Sequence, residues 1–221
     1  IYDRTGKILL YEIHGEEKRT LISLNSLPDT VKFATIAAED LHFYEHIGVD
    51  VRGIARAFLK NLARGNIIQG GSTITQQLIK NSILTSERTY TRKIKEVLLA
   101  IMLERKYSKD EILELYLNVA EWGDTGIFGI EAAAGHYYGK SASSLTPDES
   151  ARLASVLPNP RKYNPAGDSK YVVNRSNLIY SIMIKRGIVV PEYEEVWGIE
   201  NKEENPPDSA GQPETPRPAN Q

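Results

Sequence analysis

The sequence predicts a mainly α-helical protein with one domain and a small β element at its N-terminus. Three observations support this fold class. The 221 residues suffice for one generous domain with a core of its own. From about Pro28 onwards, apolar residues recur at three- and four-residue steps, the period of a helix that packs on one side. Strand-like composition is confined to residues 1–13.

The predicted elements follow from these patterns. Residues 1–13, IYDRTGKILLYEI, predict a hairpin because two strand-like runs flank a Thr5-Gly6 turn signal. A helix often starts at a small oxygen-bearing side chain that accepts hydrogen bonds from the free N–H groups of the first turn. Such starts are predicted at 25–28, Ser86, Ser108 and Thr146-Pro147. Gly187 is a natural C-cap. The predicted helices span 31–41, 51–62, 73–84, 91–106, 109–119, 127–138, 147–157 and 171–186.

Two segments break the helical pattern. PNPRKYNP, residues 158–165, has too many prolines for a regular helix. From Asn201 the chain is polar and proline-rich and cannot offset its ordering entropy, so we expect a disordered tail. The predicted domain therefore comprises residues 1–198, and the tail comprises residues 199–221.

Composition excludes several kinds of protein. A formal net charge of −2 implies no field for binding nucleic acid. The absence of cysteine excludes a disulfide framework and a thiolate zinc site. The longest apolar run, Val97–Leu103, is far shorter than the roughly 20 residues that span a bilayer. Because the chain begins at Ile1 with no signal pattern, we expect that a targeting peptide or an anchor precedes it.

The first candidate site is AAEDLHFYEHIGVD, residues 37–50. Glu39 and Asp40 end an apolar stretch, and a carboxyl held against apolar neighbours has a raised pKa that suits general acid or base catalysis. The alternative is a solvated helix end. His42 and His46 are spaced like a metal pair, but their ligand set is incomplete.

The second candidate is QGGSTITQQLIKN, residues 69–81. A helix that starts at Ser72 or Thr73 would point free N–H groups and its positive dipole end outward, which makes an anion site. Its polar face carries Thr73, Gln76, Gln77 and Lys80. The alternative is a well-capped amphipathic helix without a ligand.

The third candidate, residues 87–108, combines cations with an apolar run. Arg88, Arg92, Lys93 and Lys95 crowd a helix start, where cations oppose the dipole. Such a helix start favours a bound anion. The next seven residues are apolar, so Glu96 is predicted where the exposed end becomes a buried segment. The alternative is a basic helix end in which Glu96 pairs with a neighbouring lysine.

The fourth candidate is the segment 49–64. Arg52, Arg56, Lys60 and Arg64 recur at four-residue steps, and an apolar row contains Ile54, Phe58, Leu59 and Leu62. Such a helix can lie in a membrane interface with its cations on anionic head groups. It can equally pack on the core with a solvated basic face.

Together these motifs resemble the glycosyltransferase domain of peptidoglycan synthases, glycosyltransferase family 51. The resemblance covers ED-x-x-F-x-x-H-x-G at 39–48, GGSTITQQ at 70–77, RK-x-x-E at 92–96 and SKDEILELYLN at 108–118. The four motifs occur in family order over nearly all of residues 1–190. The resemblance implies a single bilobal, lysozyme-like helical domain.

The resemblance also implies an activity and a location. The family polymerises lipid II into β-1,4-linked glycan strands by inverting transfer of a chain linked to undecaprenyl pyrophosphate onto the acceptor 4-hydroxyl. The expected partners are lipid II, the lipid-linked glycan, the bacterial cytoplasmic membrane and cell-wall synthesis proteins, with no nucleic acid. The membrane contacts would be a missing N-terminal helix and residues 49–64, with the domain on the periplasmic or extracellular face.

By family pattern, Glu39 is the general base and Glu96 is the second essential carboxylate, which lies toward the donor phosphates or a divalent ion. That ion, Mg²⁺ or Mn²⁺, would bind chiefly through the substrate. The residues expected to bind substrate are Asp40, Arg56, Ser72, Thr73, Gln76, Gln77, Lys80, Arg88, Arg92, Lys93, Lys95 and Asn118.

The chain most resembles monofunctional members of the family. It contains neither the Ser-x-x-Lys nor the Lys-Thr-Gly pattern of a transpeptidase, and Glu121-Trp122-Gly123 is typical of monofunctional enzymes. It departs from the family at 174–183, NRSNLIYSIM, where Arg175 stands in place of an arginine-rich start. Two other classes stay open: a lytic muramidase or transglycosylase, and a non-catalytic cell-wall scaffold.

Overall fold

The computed structural model describes residues 20–55, 71–82 and 89–189. In these ranges the chain is mainly helical, and the only β pairing consists of two isolated bridges, Ile47 with Val49 and Glu121 with Phe128. The predicted fold class is therefore confirmed. The predicted hairpin at 1–13 and the tail at 199–221 lie outside the described residues.

The described α-helices are α1 (Asp29–Glu39), α2 (Ile74–Ser82), α3 (Tyr90–Lys106), α4 (Lys109–Val119), α5 (Ile130–Tyr138), α6 (Pro147–Val156) and α7 (Lys170–Lys185). Residues 51–55 are also helical. Short 3₁₀ turns occur at Leu24–Ser26, Phe43–Glu45, Ala142–Ser144 and Pro160–Lys162. The last of these lies within 158–165, where no α-helix forms, as predicted.

Two of the predicted helix starts are capping boxes. The Ser108 hydroxyl accepts from the Glu111 N–H at 3.3 Å, and the Glu111 carboxylate accepts from the Ser108 N–H at 2.8 Å. Thr146 and Glu149 make the same reciprocal pair at α6. Each pair satisfies N–H groups that the helix leaves free, which confirms both predicted starts.

The predicted start at 25–28 is only partly right. Residues 24–26 form a 3₁₀ turn, and the N-cap of α1 is Pro28, which makes no side-chain cap. Its φ of −59° suits a helix entrance, and Asp29 provides a negative charge in the first turn. Ser86, the remaining predicted start, lies outside the described residues.

Helix α5 begins at Ile130, three residues later than predicted. The delay is explained by Gly129, whose φ of 88° and close approach to the Asn118 carbonyl leave no room for a side chain. The Trp122 N–H donates to the Ile127 carbonyl at 2.7 Å, so the preceding residues form a tight loop. At the other end of the domain, Gly187 has a φ of 70° and terminates α7, as predicted.

Helix α4 contributes several of the most deeply buried side chains of the core. Its side chains Ile112, Leu113, Tyr116 and Leu117 are buried. Helix α1 packs against α6 and α7, and α2 packs against α3 and α4. Glu39, the last residue of α1, contacts Gln77 of α2 and lies near Arg175 of α7.

Helix α3 corrects one prediction. We expected its apolar run, Val97–Leu103, to be buried, but only Ala100 in this run is fully buried. The exposed fraction is 93% for Tyr90, 61% for Ile94, 56% for Leu98 and 63% for Met102. These four residues recur every fourth position and form one side of the helix, which we call the α3 stripe. When a helix is apolar on all sides but packs against the protein on only one, apolar residues of another side are exposed. No helix in the described ranges is long and apolar enough to cross a membrane.

Candidate active site

Glu39 is the last residue of α1, and its side chain lies between α2 and α7. Only 8% of this side chain is exposed. The Gln77 amide donates from Nε2 to Glu39 Oε2 at 2.7 Å. On the other side, Arg175 Nη2 lies 3.9 Å from Oε1 and donates to the Ala38 carbonyl at 2.9 Å. Glu39 is therefore not the solvated helix end that the alternative interpretation required.

Burial raises the pKa of Glu39 to about 6. The Gln77 hydrogen bond, Arg175 and Lys80 oppose this rise, and the neighbouring charge of Asp40 adds to it. A carboxyl with this pKa is largely ionised at neutral pH and still basic enough to accept a proton. Since Oε1 has no hydrogen-bond partner among the described residues, one oxygen remains available as the acceptor.

Asp40 turns away from Glu39 and holds the start of α2. Its carboxylate accepts from the Ile74 N–H at 3.1 Å and contacts His46 Nε2 at 3.0 Å. A carboxylate at this position is stabilised by the positive end of the helix dipole. Asp40 thus occupies the place where we predicted a ligand anion.

The next N–H groups of α2 are also satisfied internally. The Thr73 backbone N–H donates to the Gln76 side-chain oxygen Oε1 at 3.0 Å, and the Gln76 backbone N–H donates to the Thr73 hydroxyl oxygen at 3.2 Å. The expectation that these groups point outward as a free anion site is therefore wrong. The physical reason is that Asp40 and the Thr73–Gln76 pair satisfy them more locally than a ligand can.

Both the oxygen and the nitrogen of the Asn118 side-chain amide form hydrogen bonds with the backbone. It accepts from the Ile22 N–H at 2.9 Å and donates to the carbonyls of Ile22 and Glu114 at 2.9 and 2.8 Å. The described contacts of Asp40, Thr73, Gln76 and Asn118 are all with the chain itself. Direct contact of these four with a substrate stays a prediction.

Glu96 lies buried on α3, with only 2% of its surface exposed. Its carboxylate accepts from Lys93 Nζ, which also donates to the Ser72 hydroxyl at 3.1 Å. The pairing of Glu96 with a neighbouring lysine, which we considered as the alternative, is thus present. The role of Glu96 as a second catalytic carboxylate stays a prediction.

Residues 72–77 connect the two carboxylates. Glu39 contacts this segment through Gln77, and Glu96 contacts it through Lys93 and Ser72. The structure therefore brings together the motifs at 39–48, 70–77 and 92–96, which the sequence separates by many residues.

Positive charge surrounds this segment. Lys80 is exposed, and its charge lowers the pKa of Glu39, which shows that the two lie near each other. Lys93 and Lys95 are exposed, whereas Arg92 is half-buried. Two further predicted cations, Arg56 and Arg88, lie outside the described residues.

The predicted divalent ion finds no ready-made site in the described ranges. These ranges contain no group of three or more side chains able to hold a metal ion. His46 is engaged by Asp40, and His42 by Glu45 at 2.9 Å. Glu96, the candidate ligand, is already paired with a lysine ammonium. Binding of Mg²⁺ or Mn²⁺ stays a prediction, and we assign no chemical step to such an ion.

Sequence reasoning missed Tyr116. This residue of α4 is fully buried, and its hydroxyl donates to the Gln77 side-chain oxygen Oε1 at 3.3 Å. In the sequence Tyr116 has the spacing of an ordinary core residue of an amphipathic helix. The signal that distinguishes it is its hydroxyl, because a buried tyrosine requires a polar partner.

A buried glutamate of raised pKa beside a segment rich in cations, in a mainly helical domain, defines the kind of site that a glycosyl-transferring enzyme needs. Comparison with known proteins agrees. The Transglycosylase family profile matches residues 6–184.

Individual relatives are 46–49% identical to this chain over most of its length. Penicillin-binding protein 1A of Aquifex aeolicus (strain VF5) is 46% identical over 196 residues, which are 88% of this chain and 27% of that protein. The biosynthetic peptidoglycan transglycosylase of Janthinobacterium sp. (strain Marseille) is 49% identical over 73% of this chain and 70% of the relative. The same-named protein of Thiobacillus denitrificans (strain ATCC 25259 / T1) is 48% identical over 73% of this chain and 69% of its own length.

The chain belongs to the transglycosylase family. It spans about a quarter of the penicillin-binding protein and somewhat more than two thirds of the two biosynthetic transglycosylases. These matches confirm the predicted resemblance and the prediction of an enzyme of the peptidoglycan glycosyltransferase class.

Proposed function

We propose that this protein polymerises lipid II into β-1,4-linked glycan strands, as a monofunctional enzyme. The observation that carries the proposal is Glu39, a buried carboxyl with a pKa of about 6, one oxygen held by Gln77 and the other without a hydrogen-bond partner. The names of the two biosynthetic transglycosylases support the same activity.

In the proposed reaction, Glu39 acts as the general base. Its Oε1 takes the proton of the acceptor 4-hydroxyl. At the same time, the hydroxyl oxygen forms a bond to the donor anomeric carbon. The bond from this carbon to the undecaprenyl pyrophosphate breaks on the opposite face, and its electron pair leaves with the phosphate. The configuration therefore inverts, and the protonated Glu39 returns its proton to water. Such proton transfer contributes about 10²- to 10⁴-fold to the rate.

The cations around residues 72–77 suit the departing pyrophosphate. Lys93 is held by Ser72 on one side and by the buried Glu96 on the other, so its ammonium is fixed before substrate binds. Preorganised positive charge of this kind stabilises the negative charge that grows on a leaving group. We assign Glu96 the task of fixing Lys93, with Lys80, Arg92 and Lys95 as further contacts to the lipid-linked chain.

We further propose that the enzyme works against the bacterial cytoplasmic membrane, with this domain on the periplasmic or extracellular face. The α3 stripe supports this, together with Ile47 and Val51, which are 66% and 72% exposed. Exposed apolar surface beside cations is what an anionic bilayer favours. An N-terminal anchor, the segment 49–64 and contacts with other cell-wall synthesis proteins complete the proposal.

The experiment that tests the activity separates the three candidate classes. Purified protein is incubated with labelled lipid II in detergent or vesicles and, in parallel, with preformed cell wall. We expect long glycan from lipid II and no release of soluble fragments from the wall. Release of fragments without polymer would indicate a lytic enzyme, and neither activity would indicate a scaffold.

The dependence of the rate on pH follows from Glu39. Its ionised form is the active one, so the rate should fall as the pH decreases through about 6. The free enzyme's midpoint is read from kcat/KM for lipid II from about pH 4 to about pH 8. A midpoint near 4.5, the ordinary value for a glutamate, would contradict the assignment of Glu39 as the base.

Membrane binding is tested on the α3 stripe. Replacing Leu98 and Met102 together with serine removes two exposed apolar side chains and should weaken binding to vesicles of anionic lipid by roughly 5- to 30-fold. The measurement is co-sedimentation with the vesicles. Leu178→Ser is the matched control, because Leu178 is 58% exposed on α7, away from the stripe. Equal losses in both variants would argue against a role of the stripe.

A further inference from the structure

The Gln77 side chain links two helices to the last residue of α1. Its Nε2 donates to Glu39 Oε2 at 2.7 Å. Its carbonyl oxygen accepts from the Tyr116 hydroxyl at 3.3 Å. A polar chain therefore runs from α4 through α2 to Glu39, and Tyr116 lies at its buried end.

The two ends of the Gln77 amide are not equivalent. An ionised carboxylate only accepts hydrogen bonds, so the NH₂ group must face Glu39. If the amide were reversed, its carbonyl oxygen would face the carboxylate, and the Tyr116 hydroxyl proton would lose its described acceptor. A buried donor without an acceptor is costly. Tyr116 therefore favours the one orientation in which Gln77 donates to Glu39.

We propose that Tyr116 is a positioning residue for the general base, acting through Gln77 to keep an amide donor on Glu39 Oε2. This inference rests on the proposed role of Glu39. Tyr116 does not touch the reacting atoms. Its effect is to hold Oε2 in place, so that Oε1 is the oxygen left for the acceptor hydroxyl.

The charges around Glu39 set the direction of the effect. The titratable and charged groups that face Glu39 are Asp40, Lys80, Tyr116, Tyr171 and Arg175. Burial raises the pKa of Tyr116 well above its ordinary value, so its hydroxyl keeps its proton at neutral pH. The Gln77 hydrogen bond lowers the pKa of Glu39. Loss of that bond should therefore move the pKa of Glu39 upward.

The test is Tyr116→Phe, which removes the hydroxyl and keeps the ring. We expect the acidic midpoint of kcat/KM for lipid II to rise by about half to one pH unit, because one hydrogen bond to the carboxylate is weakened. At pH 7.5 we expect kcat to fall by about 3- to 10-fold with KM within about twofold. An unchanged midpoint and an unchanged kcat would overturn the inference.

The matched control is Tyr138→Phe. The Tyr138 hydroxyl donates to the Pro165 carbonyl at 3.5 Å and is part-buried, so the variant loses a similar group away from Glu39. Both variants should show similar thermal unfolding midpoints, and only Tyr116→Phe should move the acidic midpoint of the rate. If Tyr138→Phe moves it equally, the effect is a general loosening of the fold and the inference is wrong.

A double-mutant cycle shows whether Tyr116 acts through Gln77. In a Gln77→Met background the amide is absent, so adding Tyr116→Phe should change neither kcat nor the midpoint further. Two fully additive effects would contradict a route through Gln77. Should wild-type protein fail to polymerise lipid II at all, the proposed function fails first. Should Glu39→Gln abolish polymerisation while Tyr116→Phe behaves as wild type, only the positioning role fails.

A measurement on the wild-type protein is independent of whether Tyr116→Phe folds. The side-chain amide resonances of Gln77, followed by ¹⁵N NMR, should shift with a midpoint near 6, the pKa of Glu39. Their two protons should also exchange with solvent much more slowly than those of an exposed glutamine, because one is bonded to Glu39. Resonances that exchange as fast as those of an exposed glutamine and do not respond to pH would show that the Gln77 amide is not held, and would overturn the inference.

Discussion

Glu39→Gln is expected to lower the rate of lipid II polymerisation by about 10²- to 10⁴-fold. Glutamine has nearly the same shape and can still accept from the Gln77 amide. It cannot accept the proton of the acceptor hydroxyl, so the change removes the proposed base and little else. The measurement is the initial rate of glycan formation at saturating lipid II, compared with wild type at pH 7.5.

The stability of this variant provides its control. Ionised Glu39 is buried at a pKa about 1.5 above the ordinary 4.5, which costs the folded state about 2 kcal/mol at neutral pH. This cost is present above about pH 6 and absent below about 4.5, so near neutral pH the variant should be equally stable or slightly more stable. Glycan formation by Glu39→Gln at the wild-type rate would show that a different group is the base.

Lys93→Gln is expected to reduce polymerisation by about 10²-fold, because it removes the fixed charge that we propose lies next to the departing pyrophosphate. Glutamine can still donate to the Glu96 carboxylate and the Ser72 hydroxyl. It therefore avoids part of the destabilisation expected when the buried Glu96 loses its partner altogether. The loss should appear in kcat at saturating lipid II, since the charge develops only as the bond breaks.

The matched control for this charge is Lys106→Gln. Lys106 lies in the last turn of α3, is exposed, and sits beside the Tyr107 ring at the other end of the helix from Lys93. Its replacement should leave polymerisation within about twofold of wild type. A loss in Lys106→Gln as large as that in Lys93→Gln would show that overall charge matters more than its position.

Local signals in the sequence located most helices well. Ser108 and Thr146 have a glutamate three residues further along, and both form the capping boxes that this spacing favours. Gly187 ends α7 because its left-handed backbone suits glycine. The delayed start of α5 could not be foreseen from periodicity, because it results from the approach of Gly129 to the Asn118 carbonyl, a contact distant along the chain.

The motifs of the candidate site and the roles of its carboxylates were predicted, but the hydrogen bonds that join its residues were not. The sequence predicted an acid or base in residues 37–50 and an anion site in residues 69–81. Only the folded chain shows that Asp40 occupies the start of α2 and that Gln77 donates to Glu39. Hydrogen bonds between residues more than 30 positions apart depend on how helices pack, and a local pattern carries no such information.

The apolar run of α3 shows a second limit of prediction from sequence. Periodicity identifies which residues share a side of a helix, but it does not say which side meets the protein. Since every position from Val97 to Leu103 is apolar, the sequence alone could not tell the buried Ala100 from the exposed Leu98 and Met102.

Adjacent carboxylates at the end of α1 have consequences for inhibition. The backbone at Asp40 is no longer helical, so Glu39 faces the proposed reaction centre while Asp40 secures the helix that carries Gln77. A compound that binds Glu39 and Gln77 would contact side chains whose positions are set by the fold. Resistance through changes at Asp40 or Gln77 would disturb the same helix that the enzyme needs, so escape from such a compound should carry a cost in growth.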